Sequence, residues 1–216
     1  MLHIKSFVFS PFAENTYIIY DDAKNALIID PGCYDTEEKE KLSAFIKEME
    51  LKPQMLLNTH CHLDHIFGNK YVAETYHLIP HFHALEKSVM DFAPAAGFMY
   101  GVPFDNYTGP VQFINEGETV PLGDVVLETL FVPGHSPGHL CLYYAAQSFL
   151  IAGDTLFHRS IGRTDLPGGD HHQLITNIRT KLFALPNDTV VYSGHGPVTT
   201  IGEEKAENPF AGASLI

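Results

Sequence analysis

Four times along this chain a short apolar run breaks at a small turn and ends on a side chain able to hold a metal ion. Residues 55–59 lead to His60, residues 130–134 to His135, residues 150–153 to Asp154, and residues 190–194 to His195. Such runs read as buried strands. Strand ends of one sheet lie side by side, so the side chains they carry can converge on one sheet edge, where α/β folds often place their sites. The first place is the densest, with Thr59-His60-Cys61-His62-Leu63-Asp64-His65 in one stretch. In extended backbone His60 and His62 point to the same side, and Asp64 and His65 follow where the chain turns into a helix. The set His60, His62, Asp64, His65, His135, Asp154 and His195 is too large for one tetrahedral ion. It suits two ions if a carboxylate bridges them. A lone strand-end histidine usually caps a turn; four such places, one of them a cluster, point to a metal.

Composition narrows the partners. With 216 residues and 45% hydrophobic content the chain can bury a sizeable core, and a single α/β domain over residues 1–216 is expected. Twenty-six acidic against 13 basic side chains give a formal charge of −13, which repels phosphate backbones and argues against nucleic acid. No apolar run approaches the roughly 18 residues of a membrane helix. Residues 1–10 lack the charged start, long apolar stretch and cleavage site of a signal peptide. Cys33, Cys61 and Cys141 are odd in number and far apart, which fits a reducing, cytoplasmic setting. The expected partner is a small-molecule substrate, with no membrane, for a monomer or homodimer.

Strands are expected at 2–9, 16–20, 26–29, 55–57, 78–82, 125–132, 140–144, 149–152 and 189–192. Leu42, Phe45, Ile46 and Met49 share one helical face over 36–50. Further helices are expected from Asp64 to about Tyr76 and over 170–184, where Leu174, Ile175, Ile178 and Leu182 form the stripe. Residues 92–110 mix Gly, Pro and aromatics without period and read as a lid or loop insertion that covers the site or, in the competing account, packs onto the core or a partner subunit. Strands and helices in turn, with some strands adjacent, indicate mixed sheets covered by helices.

The run THCHLDH resembles the T-H-x-H-x-D-H signature of the metallo-β-lactamase superfamily. PGHSPGH, GDTLF and SGHGP follow in that superfamily's order and approximate spacing. From Phe7 to Phe210 the chain is most similar to the glyoxalase II branch (hydroxyacylglutathione hydrolases) and its short single-domain relatives. The resemblance implies a four-layer αβ/βα sandwich of two mixed sheets with a binuclear site at one edge. It implies that His60, His62 and His135 hold one ion, that Asp64, His65 and His195 hold the other, and that Asp154 bridges. Zinc is the first expectation for both divalent ions, with iron or manganese as alternatives, since His/Asp donors accept all three. The implied reaction is hydrolysis. A metal-bound hydroxide attacks a carbonyl carbon while an ion polarises its oxygen, and Asp64 serves as ligand and proton shuttle. A thioester suits this chemistry because a thiolate leaves without prior protonation.

Secondary candidates carry two readings each. Asp30, closing the strand ALIID, orients a ligand histidine or simply forms an Asp-Pro-Gly turn. His139 is structural or stands behind a ligand. Arg163 clamps a substrate carboxylate or pairs with Asp165 to pin its Gly-rich loop. Cys61, between two ligands but facing away, reads as a small buried residue. Full-length glyoxalase II enzymes carry an added C-terminal helical domain that contributes to glutathione binding. This chain runs about 20 residues past His195, and glutathione recognition stays open. Competing readings are a mononuclear iron persulfide dioxygenase, whose family shares a GRTD-like loop; a lactonase or β-lactamase-like hydrolase; and a non-catalytic metal-binding protein. The last is disfavoured because structural zinc sites are normally closed by four protein ligands, often cysteines.

Overall fold

The computed structural model describes residues 1–212, which fall into two compact units. The first holds residues 1–114 and the hairpin tip 121–126. Strands β1 (Leu2–Phe9), β2 (Glu14–Asp21) and β3 (Asn25–Ile29) form an antiparallel meander. Helix α1 (Thr36–Glu48) then carries the chain to β4 (Lys52–Leu57), which pairs parallel to β3. Helices α2 (Leu63–Ile66) and α3 (Asn69–Tyr76) precede β5 (Pro80–Phe82). Helix α4 (Lys87–Met99) precedes β6 (Gln112–Phe113), and both β5 and β6 extend the sheet in parallel.

Local chemistry explains these elements. Asp35 caps α1 by accepting the Glu38 N–H at 2.9 Å, and Glu37 and Glu38 place negative charge in its first turn. Leu42 and Ile46 bury the apolar face of α1 against Phe7, Phe9, Ile18, Ile28 and Leu56 of the sheet, with Phe45 and Met49 packed alongside. The helix expected from Asp64 to Tyr76 is two helices. The chain breaks at Phe67-Gly68 because the Gly68 N–H turns out to the Pro31 carbonyl, at 2.7 Å.

Residues 92–99, expected to be irregular, belong to α4. Met90, Ala93 and Gly97 are its buried positions, and Pro94 lies within the helix. The apolar face is narrow and interrupted by small residues, which hid its period. Met90 and Ala93 join a cluster with Cys61, Leu63, Ile66, Phe67 and Phe82, and Val102, Phe104 and Tyr107 pack on it. Residues 92–110 therefore contribute to a core, while Phe98 and Met99 stay exposed.

The second unit holds residues 115–120 and the chain from 127 onward. Its sheet has the order β14-β13-β10-β9-β8-β7. The members are β7 (Thr119–Leu122), β8 (Val125–Phe131), β9 (Leu140–Tyr144), β10 (Phe149–Gly153), β13 (Val190–Ser193) and β14 (Thr199–Thr200). A small hairpin, β11 (Leu156–Phe157) and β12 (Ser160–Ile161), follows β10. Helix α5 (His171–Asn177), continued by a π-helical stretch at Ile178–Leu182, buries Leu174, Ile178 and Leu182 against Val132, Leu150, Ala152 and Val191. Helix α6 (Ile201–Glu207) closes the described chain, with Ile201 in the same core. Among the described residues no helix is long and apolar enough to cross a membrane.

Candidate metal centre

In the first unit the parallel pairing of β3 with β4 sets the ligand loop. Ile29 pairs with Leu57, and the Asp30 N–H donates to the Leu57 carbonyl at 3.0 Å, so both strands end together. Asp30 itself adopts a left-handed backbone at φ 49°, a conformation that Asp tolerates better than most residues. Its buried carboxylate accepts the Thr59 N–H at 2.7 Å and the Thr59 hydroxyl at 2.6 Å, and lies 3.2 Å from His65 Nδ1. The Thr59 hydroxyl proton is spent on Asp30, so at 3.1 Å its oxygen accepts from His60 Nδ1. Both imidazoles are therefore protonated at Nδ1, and each keeps its Nε2 lone pair for a ligand. One carboxylate sets two tautomers.

The rings crowd together. His60 lies 4.7 Å from His62 and 4.1 Å from His65, centroid to centroid, and Asp64 Oδ2 is 3.9 Å from His65 Nε2. Asn58 Nδ2 donates to the His65 carbonyl at 3.0 Å and exchanges amide bonds with Asn69 on α3, anchoring the short helix α2. The Cys61 N–H donates to the buried Glu86 carboxylate at 2.8 Å. The Cys61 side chain faces the apolar cluster, and burial pushes its thiol well above the usual range.

In the second unit β10 runs parallel to β13, and the Gly194 N–H donates to the Gly153 carbonyl at 2.8 Å. This register brings Asp154 and His195, each one residue past a strand-end glycine, next to each other. Strand β8 is antiparallel to β9 and β9 to β10, so β8 ends at the same edge and delivers His135. His135 Nε2 lies 3.5 Å and His195 Nε2 3.6 Å from the same oxygen, Asp154 Oδ2. The Arg163 carbonyl accepts from His135 Nδ1 at 2.7 Å, which again leaves Nε2 unprotonated. His139, fully buried, accepts the Asp154 N–H on Nε2 at 3.0 Å and so ties that ligand's backbone to β9.

Gly162 makes this approach possible, since a Cβ there would fall 1.9 Å from the Asp154 carbonyl and 3.0 Å from His135 Nδ1. The Arg163 guanidinium binds Asp165 through two bonds, of 2.7 and 2.8 Å, with both side chains exposed. That bidentate partner holds the Asp165 carboxyl down at about 2. In this conformation Arg163 pins its own loop.

The donor set fits metal ions. Donors about 2.0–2.2 Å from a tetrahedral ion lie about 3.3–3.6 Å apart. The two contacts to Asp154 Oδ2 match that spacing and are long for hydrogen bonds. Both imidazoles face one oxygen of the same carboxylate.

Sequence reasoning missed Thr59, Glu86, Thr16 and Glu14. Glu14 is fully buried on β2, and burial pushes its carboxyl well above the ordinary value, although the nearby His65 pulls the other way. The available signal was its position: an acid two residues before the apolar run TYIIY, where a solvated charge does not fit.

Mixed sheets flanked by helices, with imidazoles and carboxylates gathered at the ends of parallel strands, define an α/β metalloprotein. The model of the metallo-beta-lactamase superfamily matches residues 10–195, and the chain belongs to that superfamily. It is 38% identical over 211 residues to hydroxyacylglutathione hydrolase GloC of Haemophilus influenzae, covering 97% of this chain and 98% of that one. The solved structure of the BLEG-1 B3 metallo-beta-lactamase superposes with a TM-score of 0.89 at 36% identity, covering 97% and 99% of the two chains. That of TTHA1623 in a di-iron-bound form gives 0.86 at 34% identity, covering 95% and 99%. The αβ/βα sandwich class and the metal-dependent hydrolase class expected from the motifs are those of the superfamily.

Proposed function

We propose that the two ligand sets close on a pair of divalent ions and that the protein hydrolyses a thioester of the S-2-hydroxyacylglutathione type. The observation that carries this reading is the pair of Nε2 atoms facing one oxygen of Asp154, at 3.5 and 3.6 Å. His60, His62 and His135 would hold one ion and Asp64, His65 and His195 the other, with Asp154 available to both. Bound there, two divalent ions lower the pKa of a coordinated water toward about 7 and polarise a carbonyl.

The chain's own residues do the rest. Asp30 and the Arg163 carbonyl keep the Nε2 lone pairs of His60, His65 and His135 aimed outward. Asp64 takes and returns the proton of the attacking water, and His139 keeps the Asp154 carboxylate from rotating with its backbone. The thioester class is supported by the name of the GloC relative, and a thiolate leaving group asks no general acid of the site. Zinc is the proposed metal; iron is the second reading, favoured by the di-iron form of TTHA1623.

The test is turnover by protein loaded with zinc or iron on thioesters, lactones and a β-lactam, with metal content measured on the same samples. Two ions per chain and a preference for glutathione thioesters are expected. Inactivity toward all thioesters, or oxygen consumption with a glutathione persulfide by a one-iron form, would overturn the proposal.

A further inference from the structure

We propose that Glu14 is a positioning residue for His65, acting beside Asp30 on the same ring nitrogen. The inference rests on the metal-centre reading above and concerns how one of its ligands is held. Glu14 is fully buried, and its Oε1 has no hydrogen-bond partner and lies 4.0 Å from His65 Nδ1. Asp30 Oδ2 is 3.2 Å from the same nitrogen. The Nδ1–H of His65 thus faces two carboxyl groups, one from strand β2 and one from the turn after β3. Between buried groups such a contact is felt more strongly than at a surface.

Glu14 is also built in place. The Thr16 hydroxyl lies 2.9 Å from Glu14 Oε2 and 2.8 Å from the Asp30 carbonyl, and it accepts the Gly32 N–H at 2.8 Å. A Cβ on Gly32 would fall 2.0 Å from Glu14 Oε2 and 2.6 Å from the Asp64 carbonyl. The glutamate side chain therefore fills the space that Gly32 leaves open, where β2, the Asp30-Pro31-Gly32 turn and the ligand-bearing helix α2 meet. An apolar side chain would fill that space equally well, but the oxygen aimed at His65 is what it would lack. Through this contact Glu14 favours the Nδ1–H tautomer of His65, and so the Nε2 lone pair that a metal needs.

The experiment compares wild type, Glu14→Gln, which keeps an oxygen at the Oε1 position, and Glu14→Met, which keeps the volume alone. Histidine 15N NMR of the metal-free proteins reads the His65 tautomer directly, and chelator competition with cobalt reads affinity for each equivalent. The expected result is a wild-type tautomer and affinity in Glu14→Gln. In Glu14→Met the His65 tautomer becomes mixed and one cobalt equivalent binds about tenfold or more weakly, the usual cost of losing a group behind a ligand. A wild-type tautomer and affinity in Glu14→Met, or equal loss in both variants, would overturn the proposal. Failure of the wild type to take a second ion would instead count against the binuclear reading, since the tautomer is measured without metal.

Discussion

At the scale of single residues, the candidate centre depends on groups that stand behind its metal-capable side chains. Asp30 fixes His65 directly and His60 through Thr59, so its removal should disturb both imidazoles at once. Asp30→Ala is expected to weaken metal binding about 10–100-fold, measured by competition with a chelator. Asp30→Asn, which keeps one acceptor, should fall between. Asp165 gives a pH prediction with a definite sign. Its folded pKa, about 2, is depressed by Arg163 below an unfolded value of about 3.9. The pair therefore contributes fully above the unfolded value and is lost as pH falls toward about 2. A carboxyl 13C titration by NMR should place the Asp165 midpoint near 2, whereas a midpoint near 4 would mean that the bidentate pair does not persist in solution. Because both side chains are exposed, little global stability is expected to follow the change.

At the scale of elements, the ligands are aimed by register more than by the turns that bear them. Parallel pairing of β10 with β13 and of β3 with β4 is what sets Asp154 beside His195 and Asp30 beside Thr59. The β12 end at Gly162 must then slide under Asp154. Gly162→Ala places a methyl on a backbone carbonyl, which cannot move aside as a side chain can. A destabilisation of about 1–3 kcal/mol is expected in denaturant unfolding, together with weaker metal binding. Unchanged affinity would show that the Asp154 loop has room to shift. The strands and helices built on regular apolar periods were legible in the sequence: α1, α5 taken together with its π-helical continuation to Leu182, and the hydrophobic runs β3, β9 and β10 lie within a residue or two of expectation. The two-residue strands β6, β11, β12 and β14 were not, because two residues carry no period. Helix α4 was hidden for another reason. Its buried positions, Met90, Ala93 and Gly97, are few and partly small, while Phe92, Phe98 and Met99 are exposed, so the usual contrast between faces is inverted.

At the scale of the whole molecule, the proposed pair of ions would link binding to folding. An ion that binds only the folded chain stabilises it by about 4 kcal/mol at a free concentration of 1,000 times its Kd. For a domain of this length each kcal/mol corresponds to about 2–4 °C in Tm. Exhaustive chelation is therefore expected to lower Tm by about 8–16 °C for each tightly held ion, checked by calorimetry on metal-free and reloaded protein. Zinc that leaves Tm unchanged would argue that these donors do not form a tight site in the native state.

The seven candidate ligands, all His or Asp, and their order along the chain were set by the sequence alone, because an apolar run, a small turn and a metal-capable side chain are local features. So was the α/β class, which follows from alternating periods. Only the tertiary structure decided which nitrogen of His60, His65 and His135 faces outward, and that Thr59, Glu14 and Glu86 stand behind the loop of residues 60–65. It also decided that Arg163 turns to Asp165 while its carbonyl serves His135. Glu14, Asp30 and His65 are each separated by many residues in the chain. Their meeting depends on strand register and on burial that removes water as the competing partner, and neither is written in any one segment.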